Sequence, residues 1–344
     1  MQIKTTPNEK ILILGPAWVG DMVLAQSLFI ILKEQFPNCQ IDVAAPAWTL
    51  PLLERMPEVT NAIALPFKHG EFAFWERIHF GKSLRESNYT QAIILTNSLK
   101  SAILPFAANI SRRTSFLGEM RYGLINDIRP LDKTKLPRTV DRFVTLGLAK
   151  NAELPSRLPN PKLIPNHENA LATLAKFDHT KPSKKVLGLC PGAEYGEAKR
   201  WPIEYYAQTA KAGLAKGWEV WIFGSEKDAP CSNQINQLTE NRCLDLSGKT
   251  KLGEAIDLMD LCDTIISNDS GLMHVAAALN KKLIAIFGSS TPNHTPPMSK
   301  KSHVQYVGLT CSPCFERTCS LKNPNEHMQC LKKITPESVI HLIK

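Results

Sequence analysis

The sequence predicts an α/β protein built as two parallel-sheet halves facing a cleft. Three observations carry this expectation. Short apolar strands alternate with amphipathic helices twice along the chain, a glycine-containing turn joins a strand to a helix in each half, and a proline-dense stretch separates the halves. The chain has 344 residues, 43% hydrophobic and 21% charged, which excludes disordered, collagen-like and coiled-coil classes. Each half is long enough to bury its own core.

Residues 11–14 read as the first strand. Residues 21–36 read as the first helix, because Met22, Ala25, Leu28, Phe29 and Leu32 share one face. Strands at 41–45, 62–65 and 91–95 follow, with helices around 50–56, over 98–107 and over 137–150. Pro155, Pro159, Pro161, Pro165 and Pro182 then break regular structure and stiffen a connection. The domain boundary is expected there, near residue 160, dividing 1–160 from 161–344, with a helix over 167–177 close behind it. In the second half, strands at 186–190, 219–223, 243–246, 264–267 and 283–287 alternate with helices at 203–216, 229–238, 252–261 and 271–279. Residues 288–333 interrupt the pattern with prolines and four cysteines, and 336–343 reads as a closing helix. Right-handed crossovers place ligands at the carboxyl ends of such strands.

Net charge is +9, with the densest cationic excess between residues 100 and 142. Such a surface attracts an acidic partner: nucleic acid, anionic lipid or a phosphorylated sugar. Nucleic acid is not the expected partner, since no RNA or DNA motif and no stripe of aromatics accompanies the cations. The first ten residues are polar, and the apolar run that follows is too short for a secretory leader. No stretch approaches 18 consecutive apolar residues, so no membrane span is expected and the chain is expected to be cytoplasmic. The nine cysteines then read as thiols or metal ligands.

The first glycine turn runs from Gly15 to Asp21. Its spacing approaches that of a P-loop, but Asp21 and Met22 stand where lysine and a hydroxyl residue would be needed. An acid there repels nucleotide phosphates. What remains is a carboxylate at a helix N-terminus, either a helix cap or a general base for an attacking hydroxyl.

The second turn, Ser267 to His274, offers Gly271 for close ligand approach, free N–H groups at a helix start, the Ser270 hydroxyl and the His274 ring. Asp269 suits sugar hydroxyls, or caps the helix. Lys199 and Arg200 follow one strand, and Glu226 follows the next, where it can bond a ribose diol. Anion site, cations and diol acceptor at neighbouring strand ends suit a nucleoside diphosphate.

The segments GPAWVGDM (15–22), APAW (45–48), LLERMPEV (52–59), NSLKSAILPF (97–106), GEMRYGLIND (118–127), PGAEYGEAKRWP (191–202), FGSEKD (223–228) and SNDSGLMHVAAALNKKLIAIFG (267–288) resemble, in this order, the lipopolysaccharide heptosyltransferases. The resemblance implies a GT-B fold of two Rossmann-like domains. It implies inverting transfer of L-glycero-D-manno-heptose from ADP-heptose to the first heptose of the lipopolysaccharide inner core, on a heptosyl-Kdo-lipid A acceptor. No metal is implied for the transfer. The resemblance makes Asp21 the base, Lys199 the donor-phosphate lysine, Glu226 the nucleoside-binding acid and Asp269 the acid near the heptose. Ser270, Gly271 and His274 then form the phosphate turn. The N-terminal domain would take the acceptor, with Lys100, Arg112, Arg113 and Arg121 as candidate contacts, unless these form only a solvated basic face. The C-terminal domain would take ADP-heptose. A lipid acceptor implies peripheral contact with the cytoplasmic surface of the inner membrane. The alternatives are another nucleotide-sugar transferase of this fold, a sugar-binding module without turnover, or, from the basic first half, a nucleic-acid-binding protein.

Cys311, Cys314, Cys319 and Cys330, with His327 nearby, fall in the tail over 308–333. Four thiols after a Cys-x₂-Cys start fit tetrahedral structural zinc, and free thiols or reversible disulfides are the competing readings. A metal there would brace the tail and take no part in transfer.

Overall fold

A computed structural model describes residues 9–68 and 70–343, so most of the polar opening segment lies outside the described residues. The chain divides into two compact units, Met1–Pro161 and Lys162–Lys344.

The first unit runs β1 (Lys10–Leu14), α1 (Val19–Gln35), β2 (Gln40–Pro46), α2 (Leu50–Leu53), β3 (Asn61–Leu65), α3 (Phe74–Ser83), β4 (Gln91–Ile94), α4 (Leu99–Ala107), β5 (Arg112–Phe116), β6 (Asp127–Arg129) and α5 (Thr139–Gly147). Its strands form one parallel sheet in the order β3-β2-β1-β4-β5-β6. The second unit runs α6 (His167–Ala175), β7 (Val186–Cys190), α7 (Ile203–Ala215), β8 (Glu219–Ile222), α8 (Ala229–Leu238), β9 (Leu244–Asp245), α9 (Leu252–Met259), β10 (Thr264–Asn268), α10 (Gly271–Ala278), β11 (Lys282–Phe287), β12 (Ser302–Tyr306), α11 (Gln329–Lys332) and α12 (Pro336–Ile340). Its sheet is also parallel, ordered β12-β11-β10-β7-β8-β9. Each unit therefore starts a sheet in the middle, builds outward, returns and builds the other way. The order reverses at β1/β4 in one unit and at β7/β10 in the other, the positions where open parallel sheets bind ligands.

The apolar runs that predicted strands are buried on both faces, as parallel strands covered by helices must be. All five residues of β7 and four of the five in β1 are buried. Helix α1 packs on α5 closely enough that a Cβ at Gly147 would lie 2.2 Å from the Leu28 side chain, which would have to move to admit it. Strands β5, β6 and β12 and helix α3 were not expected from sequence. In β5 the exposed Arg112 and partly exposed Arg113 precede buried Thr114, Ser115 and Phe116, so charge at one end masked the strand. The tail is less irregular than its composition implies: Leu331, Ile334, Val339 and Ile343 pack into the second unit's core with Leu189, Trp201, Tyr206 and Ile286.

Candidate active site

Asp21 stands at the reversal point of the first sheet. The loop from β1 to α1 is held by Gly15 N–H donating to the Ala44 carbonyl at 3.0 Å and by Trp48 Nε1 donating to the Ala17 carbonyl at 3.0 Å. Helix α1 is capped by Trp18, without a side-chain bond, and Asp21 is a partly exposed residue of its first turn. Asp21 is therefore the third residue of the helix and not its N-cap.

The second sheet's reversal point carries a connected polar cluster. Lys199 Nζ donates to Asp269 Oδ2 at 2.6 Å, and Ser290 Oγ donates to the same oxygen at 2.5 Å. Asp269 is fixed at the end of β10 by its own N–H, which donates to the Ile286 carbonyl at 3.0 Å. The preceding residue, Asn268, pins the 191–201 loop. Its Nδ2 donates to the Pro191 carbonyl at 2.7 Å, and its Oδ1 accepts from Trp201 N–H at 3.1 Å and Tyr206 hydroxyl at 3.0 Å. Ser270 is the partly exposed N-cap of α10, Gly271 begins the helix, and Ser270 Oγ lies 3.3 Å from Ser267 Oγ.

His274, in the second turn of α10, is buried, and its Nδ1 has no hydrogen-bond partner among the described residues. Burial pushes the ring down to about 4, the Lys199 charge adding to the effect and Asp269 opposing it. A neutral imidazole therefore sits beside a cation and an anion, with one ring nitrogen unused. Sequence reasoning missed Asn268 and Ser290. Asn268 lies in the recognised SNDSG stretch, and Ser290 follows a Phe-Gly-Ser run at the end of β11 that echoes the one after β8.

Glu226 is exposed at the end of β8 and is not joined to this cluster by a hydrogen bond or ion pair among the described residues. Arg200 is turned toward Asp228 at 3.8 Å and the Ala193 carbonyl at 3.5 Å. Asp228 in turn occupies the space a Cβ at Gly192 would need, 2.3 Å away.

The expected basic surface of the first unit requires correction. Arg121 is 0% exposed. Its guanidinium donates to the carbonyls of Thr96 at 2.8 Å and Phe116, and to the hydroxyls of Ser115 at 2.7 Å and Ser101 at 3.2 Å. It ties together the chain leaving β4 and β5, an interior role. Arg113 donates to the carbonyls of Leu124 at 2.7 Å and Ile110 at 2.5 Å and lies over the Phe106 ring. Arg112 is exposed and pairs with Asp127 at 3.2 Å. Lys100 is partly exposed in the first turn of α4.

Cys311, Cys314, Cys319 and Cys330 line one cavity of about 30 Å³, beside Ala198 and Ser289. Burial, with the three neighbouring sulfurs adding, pushes Cys330 up to about 11. No three His, Cys, Asp or Glu side chains among the described residues stand as a ready metal-ligand set. A zinc ion would need these thiols to close inward. Among the described residues no helix is long and apolar enough to cross a membrane.

Residues 77–324 match the model of glycosyltransferase family 9 (heptosyltransferase). A lipopolysaccharide heptosyltransferase 2 of Salmonella typhimurium is 46% identical over 339 residues, covering 96% of each chain. A lipooligosaccharide heptosyltransferase 2 of Haemophilus influenzae is 45% identical over 306 residues, 86% of this chain and 87% of the other. The solved structure of E. coli ADP-heptose lps heptosyltransferase II superposes with a TM-score of 0.85 at 41% identity, covering 97% of each chain. With two six-stranded Rossmann-like sheets of the GT-B fold class and a likeness that runs nearly end to end, the chain belongs to glycosyltransferase family 9, the heptosyltransferases.

Proposed function

We propose that this enzyme transfers L-glycero-D-manno-heptose from ADP-heptose, with inversion, to the first heptose of a heptosyl-Kdo-lipid A acceptor. The observation that carries the reading is the 46% identity, over 96% of each chain, to a lipopolysaccharide heptosyltransferase 2. The cluster at the end of β7 and β10 supports it. Lys199 and the N–H groups at the start of α10 can hold a departing diphosphate, and charge held there lowers the barrier as the bond to the anomeric carbon breaks. Asp269 fixes Lys199 and lies beside the sugar, while Glu226 takes the ribose diol. The sugar carbon passes through an oxocarbenium-like state. The acceptor hydroxyl attacks its opposite face, and Asp21 takes the proton.

Every group in this scheme belongs to the chain. A structural zinc among the four tail cysteines would brace the tail and stay outside the transfer. Contact with the acceptor rests on Lys100 and Arg112. A lipid-anchored acceptor makes the enzyme a peripheral visitor to the cytoplasmic surface of the inner membrane.

The test is a turnover assay with ADP-heptose and a truncated core acceptor, read by mass spectrometry, on the wild type and Asp21→Asn. The variant should bind ADP-heptose normally and lose transfer by about 10²-fold or more, the scale of a general base. Near-wild-type turnover removes Asp21 from the mechanism. Wild-type turnover with another nucleotide sugar, and none with ADP-heptose, removes the substrate.

A further inference from the structure

The loop that carries Lys199 is pinned at its two ends by Asn268. Its middle is held by a different part of the chain, the cysteine-rich tail. The Tyr195 hydroxyl donates to the Phe315 carbonyl at 2.5 Å, and Ala198 N–H donates to the Arg317 carbonyl at 3.0 Å. Gly196 makes that approach possible, because a Cβ there would lie 2.4 Å from the Arg317 oxygen. The tail segment is itself seated on the chain leaving β11. Phe315 N–H donates to the Ser289 carbonyl at 2.8 Å, and Ser312 Oγ donates to the Gly288 carbonyl at 2.5 Å. The Tyr195 ring is then flanked by two cations, with Lys199 Nζ 5.1 Å and the Arg317 guanidinium 5.4 Å from its centroid. Each cation is attracted to the π face of the ring.

We propose that Tyr195 is a positioning residue for Lys199, and that the tail segment 315–317 is the strap that sets it, with Arg317 adding a second positive charge beside the anion-binding end. This rests on Lys199 being the donor-phosphate lysine. A lysine side chain loses much rotamer freedom when an anion fixes it. A side chain already held by Asp269 on one side and an aromatic face on the other has lost that freedom before the nucleotide arrives, which raises affinity by preorganisation. The strap contributes to that hold through the Tyr195 hydroxyl and the Ala198 N–H.

The experiment is calorimetric titration of ADP into the full chain carrying Tyr195→Leu, Gly196→Ala, Lys199→Ala, and Tyr195→Leu combined with Lys199→Ala. Tyr195→Leu and Gly196→Ala should each weaken ADP binding about two- to fivefold, the scale of an exposed cation–π contact. Tyr195→Phe, which keeps the ring beside both cations but loses the hydroxyl's bond to the Phe315 carbonyl, should recover part of the loss. In the Lys199→Ala background, Tyr195→Leu should have no further effect, because its route to the nucleotide is gone. A full Tyr195→Leu penalty in that background, or no penalty alone, overturns the positioning role while leaving the donor site intact. Unchanged ADP affinity in Lys199→Ala removes the donor-site reading, and the positioning role with it.

Discussion

Acidification should destabilise the second unit through His274. The ring is 5% exposed, and burial lowers it from 6.5 to about 4, with Lys199 adding to the effect and Asp269 opposing it. The unfolded chain, with an ordinary imidazole, binds its proton near the reference value. Between these two values the unfolded state holds more protons than the folded one, so stability falls as pH falls. The contribution is fully present above the unfolded value and fully lost below the folded one. At 1.36 kcal/mol per pKa unit the whole window is worth about 3 kcal/mol, of which about 2 kcal/mol is gone by about pH 5. Urea unfolding of the wild type and of His274→Gln, at about pH 7.5 and about pH 5, isolates this term because the other titrating groups are common to both. Tryptophan fluorescence is a suitable probe. Trp201 and Trp221, in the second unit, are 1% exposed, whereas Trp18, Trp48 and Trp75, in the first, are 51%, 48% and 68% exposed. The wild type should lose about 2 kcal/mol more than the variant between the two pH values. Equal losses would refute the buried neutral imidazole.

Two further outcomes are expected. Arg121→Met should cost about 2–4 kcal/mol in urea unfolding, because the carbonyls of Thr96 and Phe116 and the Ser115 hydroxyl lose a charged donor in the interior; Lys100→Ala should change stability by less than about 0.5 kcal/mol, and a reversed order would return Arg121 to the surface. Metal analysis of the purified chain separates the readings of the tail: about one equivalent of zinc, released by Cys314→Ser and by Cys330→Ser, supports a structural zinc, and no metal together with four titratable tail thiols removes it.

The sequence by itself determined most of the framework. Apolar runs such as residues 186–190 and 283–287 have no polar face to present to solvent, so they specify strands buried on both sides of a parallel sheet. The position of Asp21, in the first turn of the helix after β1, that of Lys199, in the loop between β7 and α7, and that of Asp269, directly after β10, were legible for the same reason: chain position relative to a strand end fixes place in this fold. The outcome for the four candidate acceptor residues was different. Arg112, Arg113 and Arg121 are chemically alike and nine residues apart at most, yet one is exposed, one braces backbone carbonyls and one is fully buried. Only the path of the loop after β5 decides which guanidinium turns inward, and nothing local to an arginine encodes that path. The same holds for His274, whose lowered proton affinity comes from packing and from the charge of Lys199, 75 positions away in the chain. It holds again for the tail. Its cysteines stood out in the sequence, but its seat against Tyr195 and Ala198 depends on hydrogen bonds between residues about 120 positions apart, and such contacts exist only once the sheet that separates them has formed.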